Sequence, residues 1–333
     1  MTKAVQFDQY GDIDVLEVRD VARPVPGDGE VLVEVKAAGL NPGEAMIRRG
    51  LLHDRWPATF PSGEGSDLAG IVVELGGGVE LGGGVELGGG VELGGGVELG
   101  GGVESLSIGD EVLGFSLTRS SHAEFTAVPV EQLTPKPAAV PWEVAGGLYT
   151  AGTAAYAAVR SVNLGAGDVV AVSGAAGGVG AIAVQLARRR GATVLGIAGP
   201  ANDEWLAAHG LTPVNYGDGL ASRLRAASPT GRIDAFLDLF GRGYVELAVT
   251  QLGVSPQRVD TIIDFPVVEQ YGVKVEGTAD ASSAAVVAEL AGLVAAGELD
   301  VPIAAVYPLD QVRDAYRALE ERHSRGKVVL SMQ

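Results

Sequence analysis

Apolar and polar positions along this chain follow two different periods. In the first third, short runs rich in β-branched residues alternate with Gly, Pro and Asp turns, at 4–7, 15–18, 31–37, 69–75, 111–115 and 123–128. This pattern predicts β strands. Segments 142–149 and 152–160 then have helical spacing. Beyond them, strand-like runs at 169–172, 193–198, 213–215, 235–239, 261–264 and 273–276 alternate with helical runs at 181–190, 203–209, 220–227 and 244–252. Such alternation predicts right-handed βαβ crossovers and a parallel, doubly wound sheet, an α/β fold. An Ala-rich helix at 283–296, a strand at 304–307, an amphipathic helix at 309–321 and a strand at 326–330 close the chain.

One junction in the alternating part carries chemistry. The apolar run 169–172 ends in Ser173 and Gly174, and Ala175, Ala176, Gly177, Gly178, Val179 and Gly180 follow. The predicted helix comes next and ends at Gly191. Strand, glycine turn and helix together present backbone N–H groups and a positive helix end to a pyrophosphate. Gly177 lets the backbone approach the phosphates, and Gly180 lets the helix pack close to the strand. The motif reads A-x-G-x-x-G, with Ala175 in the place of the usual first Gly. The flanking strand and helix supply the context that the motif needs for nucleotide binding.

A repeat interrupts the β-rich part. Val-Glu-Leu-Gly-Gly-Gly occurs five times without a break from Val73 to Gly102. A solenoid is the usual meaning of a repeat. Three glycines in every six residues instead cost much backbone entropy, and each unit offers only Val and Leu for burial. The expectation is one native copy with four tandem extras forming a flexible surface loop; a partner-binding arm is the alternative. Without the extras the text reads strand, turn, strand.

Composition narrows the function. The 333 residues are enough for two domains with cores, and 47% hydrophobic with 20% charged residues describes a globular protein. The net charge of −18 opposes binding to nucleic acid or anionic membranes. No apolar run reaches the length of a membrane span, and the first residues enter a strand pattern without a signal peptide, so cytoplasmic residence is expected. The absence of cysteine excludes disulfides, thiolate nucleophiles and Cys-ligated zinc. The four histidines, at 53, 122, 209 and 323, show no ligand spacing and are expected at the surface or in caps.

Several segments occur together in one order: Ala38-Gly-Leu-Asn-Pro42, Gly65-Ser-Asp-Leu-Ala-Gly70, Ile108-Gly-Asp-Glu-Val112, Ala151-Gly-Thr-Ala-Ala-Tyr156, Ser173 to Gly180, Asn215-Tyr216 and Arg325-Gly-Lys-Val-Val-Leu330. With them the chain resembles the medium-chain dehydrogenase/reductase superfamily, in its zinc-free quinone oxidoreductase branch. The resemblance implies a GroES-like β-rich catalytic domain, from 1–124 and 278–333, around a Rossmann dinucleotide-binding domain at 125–277. It also implies an NADPH-dependent reductase of a small molecule, a quinone or an α,β-unsaturated carbonyl, and a homodimer. Zinc-dependent relatives carry a Cys near Asn41 and Gly-His-Glu where this chain has Gly65-Ser66-Asp67. Without a Lewis acid, hydride delivery to a conjugated acceptor is favoured over alcohol oxidation. A tailoring reductase or dehydrogenase for a larger metabolite and a non-catalytic NADPH-binding redox sensor remain as alternatives.

The same resemblance assigns site residues. Thr153, at the start of the predicted 152–160 helix, and Asn41, ahead of Pro42, fall near the nicotinamide, although helix initiation and an Asx-Pro turn would equally account for them. Met46 stands where relatives often carry a Tyr. Tyr149 is a candidate proton donor, with a core role as the alternative. Gly199, beyond strand 193–198, leaves space where NAD enzymes place an acid for the ribose 2′-OH, and Tyr216 matches a 2′-phosphate contact. Both favour NADPH. Asp203 and Glu204 would oppose a 2′-phosphate unless they face outward from a helix start. Phe240, Asp264 and Phe265 end later strands at the carboxyl edge of the sheet, and Arg322 matches a C-terminal cofactor contact.

Overall fold

A computed structural model describes residues 1–79, 106–321 and 324–332. The repeat beyond residue 79, Arg322 and His323 therefore lie outside the described residues. The β-rich part contains β1 (Thr2–Phe7), β2 (Glu17–Val21), β3 (Glu30–Gly39), β4 (Ser62–Gly63), β5 (Asp67–Leu75), β6 (Glu111–Phe115), β7 (Phe125–Pro129) and β8 (Leu133–Pro135). The alternating part supplies β9 (Val169–Ser173), β10 (Thr193–Ala198), β11 (Thr212–Asn215), β12 (Ala235–Asp238) and β13 (Val259–Thr261). Two strands, β14 (Ile303–Pro308) and β15 (Lys327–Ser331), follow near the C-terminus.

These strands form three sheets. β2, β1 and β4 make a small antiparallel one. A seven-stranded sheet runs β14-β15-β3-β5-β6-β8, with β7 also on β3. Long β3 serves two neighbours along one edge: Glu30–Glu34 face β7 and Ala37–Gly39 face β15. The third sheet has the order β11-β10-β9-β12-β13, and every pair in it is parallel. The apolar run of β9 is buried throughout, as a central parallel strand should be.

Sheet pairing moves the expected domain boundary. β7 and β8 join the β-rich sheet, so residues 125–135 belong with the first unit and not with the parallel sheet. Helix Ala284–Ala295, expected with the first unit, buries Val287, Leu290 and Ala291 in a core that includes both Leu113 and Phe115 of β6 and residues of helix Tyr149–Ser161. The strand-turn-strand reading around the repeat agrees with the described flanks, because β5 and β6 pair antiparallel from Asp67–Phe115 to Ile71–Glu111.

Two expected strands shorten. The run at 261–264 is strand only to Thr261, and 273–276 makes a single bridge between Asp260 and Lys274. Asp260 interrupts pairing there by accepting the Glu276 N–H at 2.8 Å. Its Oδ2 is buried without a partner, and burial raises the carboxyl to about 7. The folded chain thus holds this proton more tightly than the unfolded chain. Stability is fully present below the ordinary value of 3.8 and falls as pH rises towards about 7. Asp260→Asn is expected to flatten that fall and to raise Tm at alkaline pH, as seen in melts at about pH 5 and pH 8. An unchanged pH profile would refute it.

Candidate functional site

The glycine turn sits at the carboxyl edge of the parallel sheet. Gly174 has φ +62°, a left-handed conformation suited to glycine. Ala175 and Ala176 are buried, and the Ala175 N–H donates to Ile197 O at 3.1 Å, which ties the turn to β10. Gly177 is the N-cap of helix Gly178–Arg189. Gly178, Val179 and Gly180 are therefore the first helical turn, and not a loop ahead of a helix starting at 181. Their N–H groups have no i−4 carbonyl inside the helix and point towards the space beyond the strand ends. A Cβ on Gly180 would lie 2.0 Å from Gly174 O, so the close helix–strand contact demands glycine.

The C-terminal segment closes this turn from the other unit. The Gly326 N–H donates to Ala176 O at 3.0 Å, and Gly326 bridges Gly177 in parallel register. The stem of Lys327 runs past Gly178, with its Cδ 3.0 Å from where a Cβ would stand.

Beside the turn, Asp238 is buried at the end of β12. It accepts from Ser173 Oγ at 2.8 Å, Thr261 Oγ1 at 3.0 Å and the Gly241 N–H at 2.9 Å. These bonds hold the carboxyl ends of β9, β12 and β13 together. They also explain why the strands stop early. Asp238 takes the Phe240 N–H and Thr261 Oγ1 takes the Asp264 N–H, so the backbone leaves the ladder. Phe240, Asp264 and Phe265 consequently lie in the loops beyond the strands instead of ending them. Phe240 stays beside the turn, with its Cβ 3.5 Å from a Cβ built on Gly174. Arg55 from the first unit lies 4.4 Å from the Trp56 ring centroid and 6.0 Å from that of Phe265.

Gly199 and Tyr216 meet as expected. A Cβ on Gly199 would stand 3.3 Å from Tyr216 Oη, and Tyr216 is 57% exposed. Asp203 opens helix Asp203–Ala208 and accepts from Asn215 Nδ2 at 2.8 Å, so its carboxylate is engaged. A cation is present that the sequence reading missed. Arg223 donates to Asn215 O at 2.9 Å and Gly217 O at 3.1 Å, on either side of Tyr216.

On the side of the first unit, Asn41 is 4% exposed and begins helix Pro42–Arg48. Pro42 at the first helical position fits a helix start, which the Asx-Pro turn reading had hidden. Asn41 Oδ1 accepts from Lys327 Nζ at 2.5 Å, and its Nδ2 donates to Glu44 Oε1 at 3.2 Å. Lys327 also donates to Leu40 O at 2.9 Å and Asp67 Oδ2 at 3.3 Å. Asp67 accepts from the Thr150 N–H at 2.9 Å and from Thr150 Oγ1, and so caps helix Tyr149–Ser161. Glu44 was not singled out from sequence, and Asp67 and Lys327 entered only within segments that carry the resemblance, without a site role. One signal was available: a lysine heading a strand of otherwise apolar residues, Lys327 to Leu330, must find buried partners.

Thr153 lies in the second turn of helix Tyr149–Ser161 and not at a helix start; it is buried, and its hydroxyl donates to Tyr149 O at 2.7 Å. Tyr149 stacks on Phe115 at 4.1 Å and shares a 2.7 Å hydrogen bond with Ser282. Burial lifts its phenol to about 12. His122 departs from the surface expectation. It is buried, its Nε2–H donates to Gly39 O at 3.2 Å, and burial lowers its pKa, so it is neutral at pH 7.

Comparison with known proteins accounts for this arrangement. Residues 27–165 match the family model of the alcohol dehydrogenase GroES-like domain, and 214–330 match that of zinc-binding dehydrogenases. The chain is 26% identical over 357 aligned positions to quinone oxidoreductase 1 of Escherichia coli, spanning 99% of both chains. The structure of the quinone oxidoreductase from Coxiella burnetii superposes with TM-score 0.81 at 28% identity, over 100% of this chain and 99% of that one. The Escherichia coli quinone oxidoreductase complexed with NADPH superposes with TM-score 0.77 at 23% identity, over 99% of each.

A zinc ion does not fit the donor set at this position. Glu44 is saturated by donors, Asp67 is held by Thr150, and the Lys327 ammonium would stand beside the metal. The chain is an oxidoreductase of the medium-chain dehydrogenase/reductase superfamily, similar over its whole length to quinone oxidoreductases.

Proposed function

We propose that this protein reduces quinones or α,β-unsaturated carbonyls with NADPH and without zinc, in a cleft between the β-rich unit and the parallel-sheet unit. The observation that carries the reading is the glycine turn at 174–180, locked by Gly326 and faced by the Asn41–Lys327 pair. NADPH would supply the hydride. The first-turn N–H groups from Gly178 to Gly180, with Ala175, Ala176 and Gly177 shaping the turn, would hold its pyrophosphate. Gly199, Tyr216 and the charge of Arg223 suit its 2′-phosphate, and Asn215 holds the Asp203 carboxylate in place. Thr153, Phe240, Asp264, Phe265 and Arg322 would line the remaining cofactor path. Tyr149 is a weak acid bound to Ser282, so the proton is assigned to solvent. A homodimer in the cytoplasm belongs to the same reading.

The test is NADPH oxidation with a panel of quinones and enones, alongside NADPH titration of the protein. Turnover with at least one acceptor supports the reading. Tight binding without turnover would point to a redox sensor, and absence of both overturns the reading. Gly199→Asp tests cofactor choice. The new carboxylate meets only the exposed tip of Tyr216 and would oppose the 2′-phosphate. NADPH binding is expected to weaken by roughly tenfold or more and NADH binding much less, since a close like-charge pair costs about 1–2 kcal/mol. Equal effects on both cofactors would refute it.

A further inference from the structure

We propose that Lys327 and Glu44 fix Asn41 as a one-way hydrogen-bond donor to the acceptor's reacting oxygen, which makes Lys327 a positioning residue; this rests on the reductase reading. The two ends of an amide are similar in shape but opposite in chemistry. An ammonium only donates and a carboxylate only accepts. With Lys327 Nζ 2.5 Å from Oδ1 and Glu44 Oε1 3.2 Å from Nδ2, the reversed amide would set donor against donor and acceptor against acceptor. The side chain therefore has one orientation.

Neither partner is free to act directly. The three hydrogens of Lys327 go to Leu40 O, Asn41 Oδ1 and Asp67 Oδ2. Glu44 accepts from the Asn41 N–H at 2.9 Å, the Ser66 N–H at 2.8 Å and Tyr316 Oη at 3.1 Å, as well as from Asn41 Nδ2. What remains is the second hydrogen of Asn41 Nδ2. Its place is registered against the cofactor edge at both ends: Asp67 is tied to Thr150, and the Lys327 stem packs on Gly178.

That hydrogen has a chemical use. When the acceptor takes hydride from the nicotinamide at carbon, its π electron pair moves to oxygen. The oxygen carries the charge until solvent protonates it. A donor already locked in place stabilises that charge without reorganising, and the adjacent ammonium polarises the amide further.

Two measurements test the proposal. The first needs no turnover. In ¹⁵N-labelled, cofactor-free protein, the Asn41 side-chain hydrogen bonded to Glu44 is expected to exchange slowly with solvent and its geminal partner faster. Lys327→Met should abolish that protection, and Lys327→Arg should preserve it. Equally fast exchange of both hydrogens in the unaltered protein overturns the clamp. The second compares acceptors. An electron-poor benzoquinone holds the new charge by itself and a cyclic enone does not. Lys327→Met is expected to lower kcat roughly thirtyfold or more for the enone and roughly fivefold or less for the quinone, the scale of one lost oxyanion donor. NADPH affinity should stay nearly unchanged, and Lys327→Arg should recover enone turnover. Equal losses for both acceptors, or a loss confined to NADPH affinity, overturn the assignment. If the unaltered protein turns over no acceptor, the reductase reading fails, and the amide spectra alone decide whether the clamp exists.

Discussion

Gly180→Ala is expected to abolish measurable NADPH binding and to destabilise the fold. Its Cβ would enter the space of Gly174 O at 2.0 Å and of Gly174 C at 2.8 Å, both backbone atoms fixed by the end of β9. The helix must move off the strand, taking the first-turn N–H groups with it. Overpacking of this kind costs about 1–3 kcal/mol or more. Gly178→Ala is the milder comparison, because its Cβ would meet a side-chain carbon, Lys327 Cδ, at 3.0 Å and no backbone atom closer than Gly326 O at 3.5 Å. Calorimetric titration with NADPH and thermal melts of both variants read the difference. Gly180→Ala protein that binds NADPH as the unaltered chain does would show that helix packing does not set the site.

Arg48→Met is expected to be the most destabilising single change in the β-rich unit. Arg48 is fully buried, lies over the Tyr316 ring at 4.5 Å, and donates to Glu64 at 2.9 Å and Glu320 at 3.4 Å. Removing one partner of a buried pair costs about 3–5 kcal/mol because the other charge is left without compensation. The effect has a sign in pH. Burial and the Glu44 charge already raise Glu64 to about 7 against the pull of Arg48. The folded state binds this proton more tightly, so stability is present below the ordinary 4.5 and is lost as pH rises through about 7. Without Arg48 that window moves further up. Denaturant unfolding should therefore show a larger deficit at about pH 8 than at pH 5.5, and adding Glu64→Gln should relieve it. A deficit independent of pH would refute the pairing argument.

Much of this architecture is legible in the sequence because periodicity records burial. β6, β10 and helix Leu220–Ala227 fall where the pattern places them, since their faces are set by cores they cannot avoid. The strand ends are less legible. Asp238 and Thr261 stop β12 and β13 by capturing N–H groups two or three residues ahead, and no apolar count registers such a bond. The site divides in the same way. The glycine turn is readable because the contact that demands glycine at 180 is with Gly174, within the same turn. The pocket of Asn41, Asp67, Thr150 and Lys327 joins four distant segments, and its members gain meaning only through one another. Arg223 escaped notice for a similar reason, since it serves the Tyr216 loop from the following helix.

The pairing of β15 with β3 has a consequence for the order in which this protein is made. The inner edge of β3 is completed at Ala37–Gly39 only by Val329–Ser331. Throughout synthesis that edge stands open on the emerging chain, while the parallel sheet behind it can already assemble. Gly326 and Lys327 belong to the same segment, so the glycine turn gains its lid and Asn41 its clamp only once that segment has docked. A chain truncated before β15 would thus present a bare strand edge and an unfinished cofactor cradle together, which ties solubility and activity to this one strand.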